Sequence, residues 1–206
     1  SQQASDTRGN SDMAQGLLDI VSQIGRGFEK IYDEQMPTMQ EARGLLGVSP
    51  AQADIYTRKA KGQEITEDAI NKAYELVGDT NPSVKSLLRY TAQKESKFGN
   101  DPDTFNFRRI PSGTVGHGGI MQITDRAFKN IVNSNKKDIK NILKNLKDKN
   151  IDFQGALDNG EIREFLESPI NSVLAARLHY RMNNRPLPSR SGVDKYYKDI
   201  YAPQTK

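Results

Sequence analysis

NPSVKSLLRYTAQKESKFGN, residues 81–100, is the stretch whose reading decides the fold. Asn81-Pro82-Ser83 opens a helix and Gly99-Asn100 closes it. Between them Val84, Leu87, Leu88, Thr91 and Ala92 recur in steps of three and four, the spacing of one helix face. The next position on that face is Glu95. A carboxylate is thus expected on the side that packs inward, in the last turn of its helix. Desolvation disfavours its charged form, and so does the negative end of the helix dipole. Both effects hold a proton on the acid. Most helical glutamates are solvated, and a surface residue or a partner for Lys94 or Arg89 is the plain alternative.

Residues 99–119 hold five glycines and two prolines and little periodicity, so they read as a long loop, a kind that is usually functional inside a compact domain. Short strands are expected around 105–110 and 119–123, and a helix near 125–133. Six lysines lie between Lys136 and Lys149, and Ile139, Ile142, Leu143 and Leu146 give that segment a helical apolar stripe, so the lysines form a solvated face. Ser168 and Pro169 supply a cap and a first-turn proline for a helix running to Met182, apolar on most of its circumference and therefore central. His179, on that helix, reads as a core residue.

Upstream, two short helices are expected at 50–61 and 66–77, the second started by Thr66 with Glu67 and Asp68 and stopped by Gly78. Met13, Leu17, Ile20, Val21, Ile24, Phe28 and Ile31 mark an amphipathic helix, and residues 1–12 a disordered or linker end. The expected fold class is mainly α. Three segments are expected: 1–12 as linker, 13–80 as a small helical N-terminal extension, and 81–206 as the principal domain.

Composition removes several function classes. There is no cysteine and no tryptophan among the 206 residues, and only His117 and His179 represent histidine, so thiolate zinc sites, disulfides and a cysteine nucleophile are out. No metal and no cofactor is expected. Thirty Lys and Arg against 26 Asp and Glu give a net charge of +4, too mild and too little clustered for a nucleic-acid interface. Mean hydropathy is −0.74 and no apolar run of membrane-spanning length occurs. The chain starts at Ser1 without methionine, which suggests removal of a leader or of a longer parent.

Glu95-Ser96-Lys97-Phe98, then a glycine-rich loop, then Gly119-Ile120-Met121-Gln122-Ile123, resembles the paired motifs of the soluble lytic transglycosylase family, which has a lysozyme-like fold. Gly116-His117-Gly118-Gly119 stands at that family's Gly-Ala-x-Gly position, with His117 replacing alanine. Ser168-Pro169-Ile170-Asn171 is similar to the family's Asp-Pro-x-x-Asn helix start. The likeness spans about residues 82–201. It implies a lysozyme-like helical domain in which Glu95 is general acid and then general base. It further implies that Ser96 sets the surroundings of Glu95, that Ile120, Met121 and Gln122 line the cleft, and that Gly119 lets the backbone approach the sugar. His117, among glycines, is a candidate substrate contact. The family's tyrosine facing the acid falls on Tyr201, with Tyr197 as the other candidate, although Ala202 replaces the asparagine expected after it.

The substrate so implied is the peptidoglycan glycan strand, cut at its MurNAc-GlcNAc β-1,4 bond with formation of a 1,6-anhydro end. Direct activation of water would need a second carboxylate. Goose-type lysozymes carry an aspartate where Thr124 stands here, and Asp125, Asp101 and Asp103 are the substitutes; Asp125 reads as a helix cap and the other two belong to a turn. Two further readings stand beside the transglycosylase: a hydrolytic goose-type muramidase, and a catalytically silent virion protein on the same fold, with residues 13–80 packing on virion or wall-complex partners. The corresponding locations are a phage virion or the periplasm and cell wall.

Overall fold

The structure, a computed structural model, describes the backbone of residues 50–205 and the side chains of residues 61–203. The linker expected at 1–12 and the amphipathic helix expected from Met13 lie outside the described residues. The rest is mainly helical, with one two-stranded sheet.

Helix α1, Pro50–Val77, is one continuous element of 28 residues where two were expected. Gly62 costs a helix about 1 kcal/mol, and no proline interrupts the segment. Ile65, Ala69, Ile70 and Ala73 are fully buried against the central helix, and burial of that stripe outweighs the glycine. Thr66 is buried mid-helix and caps nothing. Residues 61–77 therefore belong to the same hydrophobic core as the helices after residue 80, and no boundary separates them as an appendage.

Helix α2, Ser83–Ser96, buries Val84, Leu87, Leu88, Thr91, Ala92 and Ser96, the phasing expected. It ends where Lys97, Phe98 and Gly99 turn left-handed at φ 50°, 59° and 80°. The Lys97 N–H then bonds back to the Gln93 carbonyl and the Phe98 N–H to the Ala92 carbonyl, both at 3.1 Å, closing the helix in a left-handed cap. The loop that follows carries strands β1, Phe107–Ile110, and β2, Gly113–Gly116, paired antiparallel with Arg108 opposite Val115 and Ile110 opposite Gly113. The first strand lies where expected. The second was expected at 119–123, and there the chain instead makes a 3-10 turn, Gly119–Met121, because Gly119 and Gln122 take φ of 71° and 50°.

Helices α3, Asp125–Val132, α4, Lys137–Asp148, α5, Phe153–Asp158, and α6, Ile162–Glu167, lead to the central α7, Pro169–Arg181. Thr124, and not Asp125, caps α3 by accepting from the Ala127 N–H. The two six-residue helices α5 and α6 are too short for periodicity to reveal, and a cluster of Phe128, Phe153 and Phe165 fixes them. In α7 every residue from Pro169 to Leu178 is buried, with Ser168 as cap. The chain ends in α8, Val193–Tyr196, a single π-helical turn, Tyr197–Tyr201, and a 3-10 turn. Among the described residues no helix is long and apolar enough to cross a membrane.

Arg177 anchors the α1–α2 loop to the central helix. Its guanidinium grips both oxygens of Asp79 at 2.8 Å, and both side chains are more than nine-tenths buried. Removing one partner leaves an uncompensated buried charge, so Asp79→Asn is expected to cost about 3 kcal/mol, read as a lowered urea midpoint.

Candidate active site

The Glu95-Ser96 dipeptide and the 118–122 turn meet through hydroxyl groups. Ser96 is buried; its Oγ donates to the Ile120 carbonyl at 2.7 Å and accepts from the Gly99 N–H at 2.8 Å. From the other side Ser172 on α7 donates to the Gly118 carbonyl at 2.9 Å and accepts from the Met121 N–H at 3.0 Å. Tyr201 closes the third side, its hydroxyl donating to the Met121 carbonyl at 2.5 Å. The Gln122 amide donates to the carbonyls of Thr104 and Gly119 at 2.7 and 2.8 Å. These bonds satisfy the backbone of an irregular turn inside the fold, which would otherwise carry a desolvation penalty. Ser172 carries no sequence motif that would have revealed this role.

Glu95 stands beside that turn, half-buried, on the wall of a cleft of about 960 Å³. The cleft is also bounded by the β1–β2 hairpin, Gln122, the start of α3, His179 and Ile200. Burial pushes the Glu95 carboxyl above its ordinary range, and the hydrogen bond from the Tyr197 hydroxyl, 2.6 Å from Oε1, pulls part of that rise back. Tyr197, and not Tyr201, is thus the tyrosine that faces the acid. The π-helical turn places the two four residues apart and stacked, with ring centroids 5.9 Å apart, so that one hydroxyl reaches Glu95 and the other the Met121 carbonyl. Tyr197 is braced in turn by an edge contact with Tyr90, whose hydroxyl is held by Asp194.

No family model, curated protein or solved structure matches this chain.

Other expected contacts are placed differently. Ile120 and Met121 are sealed in the core, at 1% and 0% exposure, and cannot line the cleft. Gly119 is also buried; a Cβ there would sit 2.1 Å from the Leu166 carbonyl oxygen and 2.7 Å from Ser172 Oγ, so glycine serves packing and not a sugar's approach. His117 is 2% exposed, packed against Phe105 and Phe107, and Arg163 donates to its carbonyl. It does not reach the cleft. His179, expected in the core, forms part of the cleft wall, with Nε2 donating to the Ile200 carbonyl at 3.2 Å. Only Glu95 and Gln122 of the expected contacts lie on the cleft, with Ser96, Tyr197 and Tyr201 behind it as supports.

The cleft holds a second carboxylate. Asp125 lines it and is ion-paired with the buried guanidinium of Arg163. Among the described residues no group of three or more His, Asp or Glu is gathered in a metal-binding arrangement.

Burial and the nearby Arg163 charge lower the His117 pKa from 6.5 to about 4. The unfolded chain therefore binds a proton that the folded one refuses. His117 contributes no destabilisation above pH 6.5, and stability falls as pH drops from there towards 4, by roughly 3 kcal/mol at the limit. His117→Phe is expected to flatten that part of a stability-versus-pH curve measured by urea unfolding.

Proposed function

We propose that this chain is a peptidoglycan-cleaving glycosidase of the lytic transglycosylase type, built on a lysozyme-like fold, with Glu95 as its catalytic acid. One observation carries the reading: a carboxyl group raised by burial stands at the end of an apolar helix face, on a cleft, under a tyrosine hydroxyl. The sequence resemblance supplies the substrate class, and the cleft volume suits several sugar rings.

The chemistry follows from a single acid. Protonated Glu95 gives its proton to the glycosidic oxygen as the bond from C1 to that oxygen breaks. The substrate's own N-acetyl carbonyl stabilises the electron-poor C1. The Glu95 carboxylate then takes the proton of the C6 hydroxyl while that oxygen bonds to C1, closing a 1,6-anhydro ring and restoring the acid. Tyr197 donates its hydrogen bond most strongly to the anionic form, and so steadies Glu95 between the two transfers. Gln122 is kept in place by two carbonyls beside the reacting groups.

Activity should fall as pH rises through the Glu95 pKa, because the first step needs the protonated acid. Tyr197→Phe removes a bond that favours the anion. The basic limb of the pH profile of kcat/KM is therefore expected to move upward while kcat falls, whereas a tyrosine serving packing alone would leave the limb in place.

Asp125 favours a second reading, hydrolysis, in which it activates water. Its ion pair with Arg163 supports the one-acid route over this, because the carboxylate oxygen is already engaged by a guanidinium. A strand-cutting enzyme of this kind acts at the cell wall, carried on a phage virion or resident in the periplasm. Wild-type protein is expected to clear a zymogram of embedded sacculi; absence of clearing would favour the silent virion shell.

A further inference from the structure

Away from Glu95 the cleft changes character. Arg126, Lys129 and Asn130 fall on one face of α3 at a spacing of three and four residues, and all three are exposed on the cleft wall. Asp125 is neutralised by Arg163, and neither Arg126 nor Lys129 has an ion-pair partner among the described residues. Across from them stands the hairpin. Ile110 and Val115 line the cleft, and they remain 36% and 43% exposed, unusual for apolar residues on so small a sheet. Strand alternation and the pairing of Arg108 with Val115 put these two apolar side chains on one face, which Arg108 shares. The cleft at this end therefore sets two exposed apolar side chains opposite two cations that have no ion-pair partner among the described residues.

The geometry points to a subsite for a carboxylate-bearing substituent of the glycan, held by Arg126 and Lys129 while the sugar rests on Ile110 and Val115. This rests on the glycan reading above and adds to it. A chain of N-acetylglucosamine alone has no such group. Two carboxylates of a peptidoglycan strand would serve: that of the 3-O-lactyl ether, and those of the peptide attached to it.

The test uses Glu95→Gln protein, so that ligands are bound and not consumed, titrated by calorimetry. Three ligands separate the sources: neutral N-acetylglucosamine oligomers, strands stripped of peptide that keep the lactyl carboxylate, and peptide-bearing strands. At low ionic strength the anionic strands are expected to bind about three- to tenfold more tightly than the neutral oligomer, the range open to exposed charge pairs. The ligand at which the gain enters identifies the carboxylate. Adding Arg126→Gln and Lys129→Gln, or raising the salt, should close the gap. Equal binding of all three ligands, or a gap that survives the double substitution, overturns the subsite alone. Binding of none of them overturns the glycan reading as well.

Discussion

Glu95→Gln is expected to abolish wall-degrading activity, with kcat/KM falling about a thousandfold or more, within the range removed with a general acid. The substitution keeps the shape of the side chain and removes its proton. Its fold should survive unharmed, because the amide oxygen can still accept from the Tyr197 hydroxyl and no charge has to be desolvated at this half-buried position. Urea unfolding of the variant should show a midpoint equal to or slightly above that of the wild type. Equal clearing of sacculi by both proteins would remove Glu95 from the chemistry.

The second large effect concerns the turn behind the acid. Gly119→Ala is expected to destabilise the protein by about 4 kcal/mol, measured by urea unfolding, through two additive causes. The residue holds φ 71°, where any side chain is strained, and the added Cβ would lie 2.1 Å from a backbone oxygen of Leu166 that cannot swing aside. The neighbouring Ser172 is no easier to move, since its hydroxyl bonds both to Gly118 and to Met121. A substitution tolerated with less than 1 kcal/mol would mean that the turn can be displaced from α7.

These two positions differ in how much of their setting is written in local sequence. Glu95 was legible because helical periodicity is local, and four apolar residues and Thr91 before it set the phase that α2 adopts. The central helix was legible for the same reason, through its cap and its unbroken apolar surface. Gly119 and Met121 were placed on the cleft, and lie beneath it. A 3-10 turn with two left-handed residues has no period, and its orientation is fixed by Ser96, Ser172 and Tyr201 from three distant parts of the chain. Of the two candidate tyrosines, the second, Tyr197, faces the acid and the first, Tyr201, does not, because a π-helical turn alters the direction of each side chain relative to an α-helix. His117 and His179 exchanged their expected settings. A histidine among glycines reads as loop, yet aromatic rings and Arg163 enclose it, whereas the one on the buried helix lies past the unbroken buried run that ends at Leu178 and reaches the cleft wall.

The presence of Asp125 on the cleft makes the fate of the reducing end the decisive observation. Mass spectrometry of fragments released from purified sacculi distinguishes an anhydro end from a hydrated one by the mass of one water. The one-acid account predicts 1,6-anhydroMurNAc ends from wild-type protein, and none from Glu95→Gln. Fragments carrying only water-added ends would contradict it and assign the attacking group to a water molecule activated by a second carboxylate.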